Sequence, residues 1–371
     1  MSDSTSSSTA APAVIAERRR HVGVLTLNRP AALNALSLEM IRELTACLRA
    51  WRDDREIGAV VLRGANRPGK APAFCAGGDI RFFHQAAHVG DPALDDFFTE
   101  EYALDHLVHT FGKPIFALMD GITMGGGMGL AQGAAMRVVT PHSRLAMPET
   151  NIGLFPDVGG GWFLARLPGR LGEFLGLTGH VLGAADALAV DWADIAIAAE
   201  RADDFIAALA GETAADGVGA LSAANAFAID AGPAPLAPQR ALIDRVFAQP
   251  TLADIVAAAQ SEPGEFAAGI VKALAQRSPL MMAVTLEQVR RARGMTLADE
   301  LRMERDMVHH CFHLRPLADG ETVEGIRALA VDKDHAPRWK PATVAEVEPA
   351  EVQAFFRSPW PADRHPLSAL A

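Results

Sequence analysis

An α/β fold built on parallel strands, followed by a helical C-terminal region, is what this 371-residue sequence predicts. Three observations carry the prediction. Short apolar runs, VGVLTL (22–27), GAVVLRG (58–64), PIFALMDG (114–121) and MRVVT (136–140), alternate with stretches of helical spacing. The middle two runs are continuously apolar, as strands covered on both faces by crossover helices are. Past about residue 200 the strand signal stops, and the chain is alanine-rich and helical to about residue 330.

The elements follow in order. VGVLTL is closed by NRP, because proline cannot continue a strand ladder. Ser37 is placed to cap a helix whose inner face is Ile41, Leu44, Leu48 and Trp51. A loop runs through Pro72 to AFCAGGDI, and residues 98–109 have helical character. GGGMGLAQGAA opens a helix after the third strand, and GGGWFLARL opens another, with Asp157 in position to cap it. GPAPLAPQ (232–239) and SEPGE (261–265) interrupt the helical region, and the proline-rich last thirty or so residues read as a wrapping tail. The expected division is a disordered tail at 1–13 (MSDSTSSSTAAPA), an α/β core at 14–200, and a helical region with its tail at 201–371.

Composition excludes several classes. A formal charge of −11 opposes broad binding to nucleic acid or an anionic membrane. The start lacks a basic segment followed by an apolar one, and no long uncharged apolar run suggests a membrane span. Cys47, Cys75 and Cys311 form no CxxC pair, so they read as reduced thiols. Together these features predict a cytoplasmic protein.

Most motifs that could carry chemistry fail on inspection. GANRPGKA (64–71) approaches a phosphate-binding loop, but Ala71 lacks the magnesium-binding hydroxyl and Pro72 opposes the helix start. No GxGxxG follows a strand, and no GxSxG supplies a serine nucleophile. His309, His310 and His313 share a helix with no carboxylate at ligand spacing, so they read as surface or packing residues. Two glycine turns remain, CAGGD (75–79) and GGGMG (125–129), each just after an extended segment. If they face one another, their free N–H groups give two donors for one developing oxyanion. The stretch MPETNIGLFPDVGGGW (147–162) adds Glu149 and Asp157 with no lysine or arginine beside them.

Taken together these segments resemble the crotonase (enoyl-CoA hydratase/isomerase) superfamily. TLNRPAALNALS (26–37), AFCAGGDIR (73–81), GITMGGGMGL (121–130) and EGIRALAVDKD (324–334) carry the resemblance. EEY (100–102), AMPETNIGLFPDVGGGWFL (146–164) and DKDHAPRWKP (332–341) direct it to the 3-hydroxyisobutyryl-CoA hydrolase branch. The resemblance implies a ClpP/crotonase ββα spiral core and a thioester site. Gly78 and Gly126 match the oxyanion hole, Glu149 the main catalytic acid, and Asp157 a second catalytic, substrate-contacting carboxylate. Glu101 matches another substrate contact, and Ala32 and Ala76 match positions presenting backbone to CoA. Hydratases carry a second glutamate where this chain has Gly129, which favours thioester hydrolysis in valine catabolism over hydration. The alternatives are an enoyl-CoA hydratase or isomerase and, in another class, a non-catalytic acyl-CoA-binding protein. No metal or redox cofactor is implied, since CoA is part of the substrate. The expected partner is an acyl-CoA, with no nucleic acid and no membrane; relatives that form trimers or pairs of trimers leave a homo-oligomer open.

Overall fold

In the middle of this chain three successive pairs of strands divide between two sheets, one member of each pair going to each sheet. The structure, a computed structural model, describes residues 11–211 and 216–371. Most of the expected N-terminal tail therefore lies outside the described residues. The larger sheet has six strands in the order β1 (Val14–Arg19), β2 (Val22–Leu27), β3 (Ala59–Gly64), β5 (Ile115–Met119), β7 (Met136–Val139) and β9 (Ile195–Ala196). The smaller has three: β4 (Ala73–Cys75), β6 (Ile122–Met124) and β8 (Arg144–Ala146). Only β1 runs antiparallel to its neighbour. Each turn of the spiral is thus a strand in the large sheet, a strand in the small sheet, and then a helix.

The helices of the core are α1 (Leu38–Asp53), α2 (Ile80–Val89), α3 (Ala93–His109), α4 (Gly126–Gln132), α5 (Gly160–Ala165), α6 (Leu171–Thr178) and α7 (Ala184–Ala189). Ser37 caps α1 by accepting from the Met40 N–H, as its position in the sequence predicts. Asp157 does not cap α5: Gly159 holds that position with no side-chain bond, which leaves the Asp157 carboxylate for other partners. α8 (Ala202–Leu209) and α9 (Gly217–Asn225) cover the outer face of the large sheet, where Phe205, Ile206 and Leu209 pack on Val61, Phe116 and Val138.

A second layer of helices packs on the helices of the core. It comprises α10 (Arg240–Phe247), α11 (Leu252–Ser261), α12 (Glu265–Gln276), α13 (Pro279–Ala292), α14 (Leu297–His313), α15 (Glu321–Ile326) and α16 (Pro349–Ala354). α13 packs on α5 and α6, and α14 packs on α3. The last residues return to α14 and α3: Arg302 Nε donates to the Leu367 carbonyl, and the His106 ring bonds the Ala371 carbonyl. No helix among the described residues is long and apolar enough to cross a membrane.

Candidate active site

The small sheet aligns three loops. β4, β6 and β8 run parallel, with one register shift between β4 and β6, so their C-terminal ends open on one side. The chain leaving β4 carries Gly77 and Gly78, that leaving β6 carries Gly125 and Gly126, and that leaving β8 carries Glu149. The two glycine turns do meet: a Cβ built on Gly77 would stand 3.6 Å from the Gly126 nitrogen. Glu149 is equally close, since a Cβ on Gly125, whose φ is +51°, would stand 3.1 Å from Glu149 Oε1. Among the described residues, neither the Gly78 nor the Gly126 N–H donates to a protein acceptor.

These turns border a cavity of about 200 Å³. Gly78, Gly126, Glu101, Glu149 and Asp157 line it, with Phe83, Phe98 and Leu154 as its apolar wall. It is small beside the roughly 300–1,000 Å³ of drug-sized pockets, as suits a short acyl group. Ala76 lies at its edge, and the Ala76 N–H donates to Leu33, the residue after Ala32. Ala32 itself is exposed on the 30–32 turn and does not line the cavity. Arg29 is engaged by Asp79 at 2.9 Å and by the Ala35 carbonyl.

A larger cavity of about 590 Å³ lies elsewhere, beside Lys113, Arg137 and Arg166. Its cations are already satisfied, Arg137 by Asp194, Lys113 by two carbonyls, and Arg166 by carbonyls and the face of Trp162. It holds no carboxylate–donor pairing like that of the smaller site.

The electrostatics of the small cavity are unusual. Glu101, Asp105, Glu149 and Asp157 are each no more than 5% exposed, and none has a salt-bridge partner among the described residues. Burial pushes the Glu149 carboxyl well above the ordinary range, and the neighbouring Asp157 adds to the rise. Glu101 is raised by burial and then by Asp105, Asp157 and Glu149. Asp157 is pushed up less, to about 6, because the Tyr102 hydroxyl donates to its Oδ2 at 2.9 Å and offsets part of the burial cost. Such a cluster cannot be fully ionised at neutral pH, so protons are shared among its members.

Several supporting residues lie beyond what the sequence singled out. Glu304 on α14 accepts from the Gly159 N–H at 2.7 Å and the Gly161 N–H at 3.1 Å. Gln288 on α13 donates to the Pro156 carbonyl at 2.8 Å and to Glu304 at 2.9 Å. The two side chains clamp the loop that holds Asp157 and Val158, whose φ is +60°. Tyr102 falls inside the EEY signature, yet its role appears only when α3 meets the 156–161 loop. Gly129 also has a spatial meaning: a Cβ there would stand 2.6 Å from Val158 Cβ and 2.9 Å from Asp105 Oδ2. The room that a glutamate would need is already filled.

Known proteins match this chain along most of its length. The family model described as enoyl-CoA hydratase/isomerase matches residues 22–356. The 3-hydroxyisobutyryl-CoA hydrolase, mitochondrial, of Danio rerio is 39% identical over 95% of this chain and 91% of its own. The protein of the same name from Homo sapiens is 38% identical over 94% and 89%. Among solved structures, a carnitinyl-CoA dehydratase from Mycobacterium thermoresistibile superposes with a TM-score of 0.86 at 37% identity, covering 96% of this chain and 98% of that one. An enoyl-CoA hydratase from Rhodobacter sphaeroides 2.4.1 gives 0.83 at 39% identity, with 94% and 98% covered. The relatives overturn the cytoplasmic location expected above, because those matched are mitochondrial by name. Reduced thiols suit any reducing compartment, so that part of the composition did not discriminate the cytosol from the mitochondrial matrix.

Proposed function

We propose that this chain, which belongs to the enoyl-CoA hydratase/isomerase family, hydrolyses 3-hydroxyisobutyryl-CoA or a similar short 3-hydroxyacyl-CoA to the free acid and CoA, a step of valine catabolism. The observation that carries the reading is the meeting of two unengaged glycine N–H groups with the buried Glu149 carboxylate in one small cavity. The thioester oxygen rests on the Gly78 and Gly126 N–H groups, which stabilise the negative charge as the carbonyl carbon becomes tetrahedral. Each such donor contributes on the order of 2.7–4 kcal/mol of transition-state stabilisation.

Glu149 supplies the nucleophile by one of two routes over the same atoms. As general base it takes a proton from water while the water oxygen bonds to the acyl carbon; the C–S bond then breaks and the sulfur receives that proton. As nucleophile its own oxygen bonds to the acyl carbon, CoA leaves as the thiolate, and water cleaves the resulting anhydride. Asp157, held by Tyr102, receives the substrate 3-hydroxyl, and Glu101 borders the same space. Ala32 and Ala76 present backbone toward CoA.

Hydration or isomerisation is the second reading, favoured by the names of the solved relatives. The crowding at Gly129 counts against it, because a second glutamate has no room there. A free-thiol assay separates the two. CoA release from 3-hydroxyisobutyryl-CoA, fast relative to isobutyryl-CoA and lost by orders of magnitude in Glu149→Gln with ester binding retained, supports hydrolysis. Loss of crotonyl-CoA enoyl absorbance without thiol release reverses the conclusion.

A further inference from the structure

The histidines of α14, which have no role in the site above, meet a carboxylate that linear spacing hides. Asp95 stands on α3, and its Oδ1 is 3.5 Å from His309 Nδ1 while its Oδ2 is 3.6 Å from His313 Nε2. The three ligand atoms lie within 4.8 Å of one another. Both contacts are longer than good hydrogen bonds, which span roughly 2.7–3.2 Å. They approach the ~3.4 Å that separates two ligand atoms across a tetrahedral ion with bonds of about 2.0–2.1 Å. His309 Nδ1 is buried and has no hydrogen-bond partner. The two rings lie one helical turn apart, stacked at 4.2 Å with an interplanar angle of 29°, so their nitrogens share one side of α14.

The surroundings brace this arrangement. Arg305 Nη2 bonds Asp95 Oδ1 at 2.5 Å, and Arg305 Nε bonds Thr99 Oγ1 at 2.9 Å, which fixes the carboxylate from the side away from His313. That positive charge weakens attraction for a dication without occupying Oδ2. Trp360 closes against the His309 ring at 4.9 Å and over the Arg305 guanidinium. His310 is not part of the set, because its Nε2 bonds the Arg357 carbonyl.

We propose that Asp95, His309 and His313 bind a divalent first-row transition ion, of which Zn²⁺ is the type, and so tie α3 to α14. Two imidazoles and one carboxylate suit Zn²⁺, Co²⁺ or Ni²⁺ far better than Ca²⁺ or Mg²⁺, which take all-oxygen sets. None of the three residues lines the thioester cavity, so the ion is a brace and not a reactant. α3 carries Glu101 and Tyr102, and α14 carries Glu304. An ion that binds only the folded chain raises its thermal midpoint.

The test uses tag-free full-length protein stripped with a chelator and titrated with ZnCl₂ and CoCl₂. One ion per chain is expected, with visible Co²⁺ bands of nitrogen and oxygen coordination and a midpoint raised by a few degrees. His309→Ala and His313→Gln should each weaken binding by roughly tenfold or more, with hydrolysis per folded molecule unchanged. His313 is half exposed, so its variant is safe for folding and decides the question if His309→Ala does not fold. His84 and His88 are the control: their rings lie 4.4 Å apart at the same spacing, with no third ligand in reach among the described residues. Binding lost in His84→Ala but kept in His313→Gln overturns the proposal, as does no saturable binding of either ion at millimolar concentration.

Discussion

A carboxylate can attack or activate water only when ionised, and Glu149 is held in surroundings that oppose its ionisation. Burial is the main cause and Asp157 the second, so the acid limb of kcat/KM should lie well above the ordinary glutamate value of about 4.3. Activity therefore rises with pH as Glu149 loses its proton. Removing the neighbouring charge in Asp157→Asn should move that limb to lower pH, which a kcat/KM profile across mildly acid to neutral pH reads directly. An unmoved limb would mean that a different group titrates. Asp157 also carries the selectivity expected for a hydroxylated acyl group. Tyr102 donates to one of its oxygens and leaves the other for a substrate hydroxyl. Asp157→Asn should raise KM for 3-hydroxyacyl-CoA far more than for the deoxy analogue, and Tyr102→Phe should do so more weakly. Equal losses on both esters would remove Asp157 from that role.

At the scale of elements, the site depends on three very short strands whose ends coincide and on one loop clamped from outside the core. Glu304→Ala would leave the Gly159 and Gly161 N–H groups without their acceptor, at a cost of about 1–3 kcal/mol for each orphaned buried group. The expected result is a lower thermal midpoint together with reduced turnover, partly rescued in Glu304→Gln, which keeps one acceptor oxygen. A fall in stability with kcat and KM intact would make the clamp purely structural. This level also shows what the chain declares locally and what it does not. β3 and β5 are legible because continuous apolar runs such as AVVL and IFALM suit burial on both faces. β4, β6 and β8 are three residues each, too short for any period, and their pairing is a property of the spiral. β1, VIAERR, has an exposed face that reads as charged chain. The glycine turns and the acids at 149 and 157 stood out through their chemistry and their resemblance to a family. Tyr102, Gln288 and Glu304 did not, because their meaning lies in contacts spanning 55 residues or more. Asp95 was invisible as a partner of His309 for the same reason.

Across the described residues, a set of buried acids (Glu101, Asp105, Glu149, Asp157, Glu300, Glu304 and Glu321) has no salt-bridge partner, and the consequence is a pH dependence of stability with a definite sign. Burial pushes Asp157 up to about 6 and Glu300 up to about 7. Glu321 likewise rises to about 7, for all that Ser278 and the Lys340 N–H donate to it. Glu101, Asp105, Glu149 and Glu304 shift in the same direction, each with burial as the largest cause. In the unfolded chain these groups titrate near 4, so the folded state binds more protons than the unfolded state between there and about pH 7. The stability they contribute is fully present below pH ~4 and declines as pH rises through the folded values. Surface carboxylates paired with arginine or lysine act in the opposite sense. Asp203, held down by Arg63, and Glu324, held down by Arg327, lose their contribution only as pH falls below the ordinary carboxylate range. The two sets together place maximum stability on the acid side of neutrality, with a descending limb between about pH 4 and about pH 7. Thermal midpoints measured from pH 5 to 8.5 should fall steadily over that limb, and Glu300→Gln, which cannot ionise, should flatten it. A midpoint that rises across the same interval would show that the buried acids are ionised in the folded protein.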